Sequence, residues 1–225
     1  MIKIADAVRE VLFSSEIAHS ALCSGLLNLS AYAVSIQKEI EQRTKKTVRP
    51  GTIVVALSRL SKTIEAQAPL TPVVDVKDLA VKTRLVELTF DKTKINREKL
   101  LRLYVDKDFA AADFLTVTYG VGELSIVVPE SLKKSVLRLY GKQKPKLIFD
   151  NLASLTLRIG EGCITTPNVT FTLVRMLALR RINIVEIVST FTELTFILHQ
   201  NDLNEAIATM LASMPVEKNN KKTPI

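Results

Sequence analysis

The sequence predicts an α+β protein in which an all-helical segment leads two consecutive β-α-β-β-α units. Three observations carry this. Through the first 65 residues apolar side chains recur at helical spacing, without the alternation of a strand. From about Leu85 alternation takes over, and short strands interleave with helices. The second region also repeats itself. Glu123-Leu124-Ser125-Ile126-Val127-Val128 returns 70 positions later as Glu193-Leu194-Thr195-Phe196-Ile197-Leu198, and Ala112-Asp113-Phe114 returns as Ile182-Asn183-Ile184 at the same offset. A repeat of that length suits a duplicated small domain and is too long for a solenoid.

In the helical segment, Ile4, Val8, Val11 and Leu12 form one apolar stripe. Leu29, Tyr32, Ala33, Ile36 and Ile40 form a second, with Asn28 or Ser30 as its N-cap, and Ile53, Val54, Leu57, Leu60 and Ile64 form a third. The polar turn before the third contains Pro50 and Gly51. Three helices with a tight turn before the last outline a helix-turn-helix or winged-helix-like module. In such a module the third helix would present Thr52, Val55, Ser58, Arg59 and Lys62, with Arg43, Lys45, Lys46 and Arg49 on the phosphate backbone. The same cluster also reads as a solvated turn, and Val55 also reads as core.

Pro69 and Pro72 end the helical pattern, and the β-branched stretch Val73–Val81 follows. Strands are expected at VELTF (86–90), FLTVTY and ELSIVV, the last two joined across Gly120 and Gly122. Helices are expected from Asn96 to Tyr104 and from Glu130 to a stop at Gly141. The second unit reads as a strand (151–160), a helix opened by Pro167, strands at 183–190 and 193–199, and a helix at 202–214. With one more strand each unit is a ferredoxin-like βαββαβ. The first closes with Lys146–Phe149. Pro215 and a polar tail leave the second no such strand, so Val73–Val81 is expected to complete it and to interleave the two units. The resulting division is 1–68 helical, 69–82 linker and completing strand, 83–150 first unit, 151–215 second unit and 216–225 tail.

Composition excludes several classes. With 47% apolar and 24% charged residues the chain is neither disordered nor low in complexity. Its net charge of +8 divides as +3, +4 and +1 over residues 1–65, 66–150 and 151–225, so no polybasic arm exists. Two cysteines, Cys23 and Cys163, build no disulfide framework, and a reducing cytoplasm is expected. Asp6, Arg9 and Glu10 interrupt the N-terminus where a signal peptide needs an apolar run, and no run is long enough to span a membrane. His19 and His199 stand in unrelated elements, Gly160-Glu161-Gly162 is too short for a phosphate loop, and no nucleophile motif occurs. The expectation is a protein that is not an enzyme and needs no metal or cofactor.

The segment from Leu152 to Leu211 resembles an ACT domain, and more narrowly the second ACT domain of aspartokinases. The match lies in the strand, the loop ending in a Pro-led helix start, the Ile182-Asn183-Ile184 entry to the second strand and the Ser/Thr-Glu entry to the third. The resemblance covers roughly residues 70–215. It implies tandem, interleaved ACT domains, since in aspartokinases the strand preceding the first ACT domain belongs to the second. Three departures stand out. The family's Pro-Gly at the helix start is Pro167-Asn168 here. The stretch between Ile187 and Glu193 runs about two residues longer than usual. The Lys-Phe-Gly-Gly motif of the kinase domain is missing, with the helical segment in its place. The resemblance therefore implies regulation without the family's catalysis.

It further implies a small-molecule effector, usually an amino acid, held where two such domains meet, most simply in a homodimer. A loop feeding a helix N-terminus offers unpaired N–H groups to a carboxylate. Lys94, Ile95 and Asn96 occupy that place in the first unit, and Thr166, Pro167, Asn168 and Val169 in the second. Asp113 and Asn183 are candidates for the ligand's ammonium. Asp113 ranks first, because it resembles the acidic residue of lysine-sensing aspartokinases. Ordinary capping and turn chemistry explains the same residues without a ligand. Coupled to the helical head, effector binding would change the spacing of two heads and so the affinity for DNA. The alternatives are a regulatory subunit docking on a partner enzyme and a ligand-free dimerisation module.

Overall fold

The computed structural model describes residues 2–64 and 70–213. The chain divides into two compact units, Met1–Pro72 and Val73–Ile225. The expected tail at 216–225 and the end of the helical segment at 65–68 lie outside the described residues.

The first unit is helical: α1 (Ile4–Phe13), α2 (Glu16–Cys23), α3 (Leu29–Thr44) and α4 (Pro50–Ile64). α2 has no counterpart among the three expected helices. It is short, and only Ala18 and Leu22 reach the core, so its apolar stripe is too brief to read. Ser15 Oγ accepts from Ala18 N at 3.2 Å to cap α2, and Asn28 Oδ1 accepts from Ala31 N at 3.0 Å to cap α3. Pro50 occupies the first position of α4, where its missing N–H costs nothing. Val8, Leu12, Ile40, Ile53 and Leu57 are fully buried at the centre. Val48 anchors the α3–α4 turn. Its carbonyl accepts from Gln37 Nε2 and its N–H donates to Glu41 Oε1, both at 2.9 Å. The described residues of this unit contain no strand, so the wing of a winged helix is not found among them.

The second unit is built on one antiparallel sheet of six strands. They are β1 (Val76–Asp91), β2 (Thr116–Tyr119), β3 (Glu123–Pro129), β4 (Leu147–Ile159), β5 (Ile184–Ser189) and β6 (Glu193–His199), in the order β2-β3-β1-β4-β6-β5. Two long strands fuse segments that the alternation presents as separate. β1 joins the stretch before the first unit to VELTF, and β4 joins Leu147–Phe149 to the strand that follows. Each bends at one residue with a positive φ, Arg84 at 59° and Asn151 at 59°, where the β1–β4 register shifts. A left-handed residue turns the pleat without ending the strand, so sequence alternation breaks there although the ladder continues. On one side of the bend Leu85–Asp91 pairs with β3 and Glu87–Thr89 with Leu147–Phe149; on the other Val76–Lys82 pairs with Ser154–Ile159. β4 from Leu152 onward also pairs with β6.

The helices are α5 (Lys94–Leu103), the unanticipated short α6 (Lys107–Ala110), α7 (Lys133–Tyr140), α8 (Val169–Leu179) and α9 (Leu203–Ser213). Val86, Leu88 and Phe90 of β1 and Leu124, Ile126 and Val128 of β3 join Leu103, Val136 and Tyr140 in one core, where Phe90 stacks on Tyr140 at 3.9 Å. Ala153, Leu155 and Leu157 of β4 and Leu194, Phe196 and Leu198 of β6 join Leu173, Leu177, Ala206 and Met210 in the other. The alternate residues of the strands face away from these helices. There Leu85, Val127, Leu152 and Ile197 form a smaller cluster with Phe114, Phe149 and Val185.

Candidate functional site

The clearest site opens where β4 hands over to α8. At the exit the N–H of Gly160 donates to Asp75 O at 2.8 Å, and the Asp75 carboxylate packs against its Cα, so a Cβ there would displace that side chain. A 3₁₀ turn, Glu161–Ile164, follows, and Thr166 Oγ1 donates to Gly162 O at 2.8 Å. Asn168 then adopts the left-handed conformation, φ 68°, and its side chain makes no cap to α8. The first-turn N–H groups of a helix have no partner within it. At α8 they carry no side-chain cap, so the positive end of the helix dipole is left for an anion.

A cavity of about 280 Å³ lies at this end of α8. Its walls are Ile164, Thr166, Asn168, Val169 and Phe171 on one side and Ser189, Thr190 and Phe191, from the β5–β6 turn, on the other. Glu193 also contributes, but its strand neighbours fix its direction. Glu193 pairs with Arg158, and the next residue on its face, Thr195, bonds Thr156 Oγ1 at 2.8 Å on the side away from the helices. Apolar and neutral polar side chains, together with Glu193, thus line the cavity around an uncapped helix start. Cys163, at its floor, is buried.

The equivalent place in the first half carries a side-chain cap, with Asn96 Oδ1 buried and unpartnered among the described residues. Thr93 Oγ1 accepts from Asn96 N at 3.2 Å and caps α5. Asn96 is 3% exposed, and its Nδ2 donates to Asp91 O at 2.8 Å. Lys94 lines a groove of about 540 Å³ along α5 with Arg97, Leu101 and Tyr119, the counterpart of Ser189 in the repeat, and Ile95 is half exposed. Asp113 is ion-paired to Lys82 of β1, whose hydrogen bond holds its carboxyl below the usual range.

The structure therefore brings Thr166, Asn168 and Val169 together on one cavity, with Pro167 between them, and separates the others. Asn183 is exposed at the start of β5, whereas the cavity meets the end of β5. Five residues of strand place these points roughly 17 Å apart. The contribution of Ser189, Thr190 and Phe191 escaped sequence reasoning. The two additional residues between Ile187 and Glu193 were the available signal, since a longer turn is what carries Phe191 to the cavity.

In the helical unit, Arg43 is held by Glu39 at 2.6 Å and Glu10 at 3.2 Å. Lys45 ends α3 in the left-handed conformation, and Lys46 and Arg49 lie in the turn that follows. Thr52 and Arg59 line a groove of about 500 Å³ with Ile4, Ala5, Val55 and Ala56, while Lys62 lies in the last turn of α4. Val55 is 51% exposed, so it faces outward. No group of three or more metal-ligating side chains exists among the described residues, and no described helix is long and apolar enough to cross a membrane.

No family model and no curated protein sequence matches the chain. Solved structures do. The regulatory subunit of aspartate kinase from Thermus thermophilus, in ligand-free form, matches with a TM-score of 0.51 at 12% identity, over 62% of this chain and 99% of that one. The same subunit from Thermus flavus gives 0.52 at 12% identity, over 62% and 98%. The aspartate kinase of Clostridium acetobutylicum gives 0.53 at 17% identity, over 63% of this chain and 35% of its own length. The fold matched is that of aspartokinase regulatory, ACT-containing domains. The chain spans about a third of the clostridial enzyme and nearly all of each Thermus regulatory subunit, and more than a third of it has no counterpart in them.

Proposed function

We propose that this chain is a non-catalytic regulatory protein of the cytoplasm whose sheet-containing unit is an interleaved pair of ACT domains that binds a small metabolite, an amino acid first among the candidates. The pairing of Val76–Lys82 with Ser154–Ile159, in the position of a fourth strand, supports the interleaving. The observation that carries the binding reading is the uncapped start of α8 opening on a cavity of amino-acid size. A ligand carboxylate would sit on the N–H groups of Val169–Phe171, and its side chain against Ile164, Phe171 and Phe191. Because Asn183 lies at the far end of β5, it would reach a ligand only from a second copy, and a homodimer is part of this reading. A thermal-shift screen of the twenty amino acids tests it. A true effector at about 100 times its dissociation constant adds about 2.7 kcal/mol of stability. Silence from all twenty would remove the amino-acid reading.

A second reading concerns the helical unit. From Gln42 to Ile64 the sequence carries six basic residues and no acidic one. α4 presents Thr52, Val55 and Arg59 on one outward face, a surface that would suit DNA. Effector binding would then bias DNA affinity. A salt titration of duplex binding decides between partners. Affinity falling steeply with salt supports DNA, and no binding even at low salt leaves docking on a partner enzyme as the role of this unit.

A further inference from the structure

β2 and β5 are the two edges of the six-stranded sheet, with four strands between them, so no backbone ladder joins them. They nevertheless meet across the face that the helices leave uncovered. Thr118 of β2 donates its hydroxyl to Glu186 Oε1 of β5, and beside them Phe114 and Val185 pack in the same apolar cluster. This joint is unusual in what it buries. Glu186 Oε2 and Thr116 Oγ1 are both sealed from solvent with no hydrogen-bond partner among the described residues. The charged group felt by Glu186 is a second carboxylate, Glu87 of β1, itself only 7% exposed and bonded to Thr89 Oγ1 at 3.1 Å. Glu186 is half-buried, and a second carboxylate on the same sheet face adds to the cost of ionising it.

We propose that Glu186 is a proton-dependent latch that closes the two edges of the sheet on each other. Protonated, Glu186 sheds the charge that burial penalises and no longer repels Glu87. Ionised, it is better served by water, which it reaches when β2 and β5 part. Three influences act on its carboxyl. Burial is the largest and raises its pKa, the Thr118 hydroxyl favours the ionised form, and Glu87 opposes ionisation; together they hold it above the ordinary carboxylate range. The sign follows. An acid whose folded pKa is raised takes up a proton on folding, so its destabilisation is absent below the unfolded pKa and complete above the folded one. Latch closure therefore weakens as pH rises through the Glu186 pKa.

The regulatory meaning rests on the effector site proposed above. The last residue of β5, Ser189, walls the α8 cavity, so an occupant there and a proton on Glu186 act on the same strand. The test needs no effector, so its failure and the failure of the binding reading are separable. Thermal unfolding of the full chain is compared at pH 8.0 and pH 4.5 for wild type, Glu186→Gln and Glu186→Ala. Gln keeps a hydrogen-bonding group and cannot ionise. It should raise Tm above wild type at pH 8.0 by about 2–4 °C, with the gap closing at pH 4.5, whereas Ala should lose the joint and flatten the pH response without the gain. Amide exchange of Thr116–Tyr119, corrected for intrinsic rate, should be slower in Glu186→Gln than in wild type at pH 8.0. A Gln variant no more stable than wild type at pH 8.0, or one with the wild-type pH profile, would overturn the latch.

Discussion

The two halves of the sheet-containing unit share a repeat, yet they treat the same structural position in opposite ways. At α5 the chain satisfies its own helix start: Thr93 caps the first turn, and Asn96 is buried with its amide on Asp91 O. At α8 the corresponding residues step aside. Asn168 contributes a left-handed backbone and no cap, and the longer β5–β6 turn walls the cavity at the helix start, whereas the first half's groove, lined by Lys94 and Tyr119, runs along α5. The repeat places two loops before two helices; at α5 a side chain caps one first-turn N–H, and at α8 none does. What separates a binding site from a capped helix is whether the N–H groups are already used.

That contrast can be broken from either side. The largest effect is expected in the first half. Asn96→Ala strips a buried donor from Asp91 O and should cost about 2 kcal/mol of stability, read by denaturant unfolding. Asn168→Ala should cost about 1 kcal/mol for a different reason, since Asn tolerates the left-handed conformation better than Ala does, and Asn168→Gly should show no such loss, since glycine takes that conformation freely. An equal loss with Gly would mean that the Asn168 side chain, rather than its backbone, is what matters. Thr93→Ala should cost about 1 kcal/mol as a lost cap, with Thr93→Ser near wild type. The smallest effect on folding is Phe191→Ala, expected within about 0.5 kcal/mol because the ring is 69% exposed. The same change should abolish the thermal shift given by an effector, and a retained shift would place the ligand elsewhere.

Much of this fold is legible in the residues because local chemistry and tertiary role agree. The stripes of α1, α3 and α4, the hairpin at Gly120 and Gly122, and the start of α8 after Pro167 follow from spacing and turn residues. α2 and α6 were not legible, being too short to carry a periodic signal. Nor were the bends at Arg84 and Asn151, since neither residue type demands a left-handed conformation. Among the site residues, the loop before α8 could be read, because capping chemistry is local. The acceptor for a ligand's ammonium could not. Asp113 was the chemically stronger choice, but Lys82, 31 residues away in sequence, takes its carboxylate, and no local pattern announces that pair.

The central claim is that the open helix start of the second half, and not the closed one of the first, receives the effector. Amide chemical shifts followed during titration with an amino acid that raises Tm test it most directly. Perturbations are expected at Thr166, Asn168–Phe171 and Ser189–Phe191, with Thr93–Arg97 unmoved. Shifts confined to Thr93–Arg97 and Asp113, with the α8 loop silent, would contradict it.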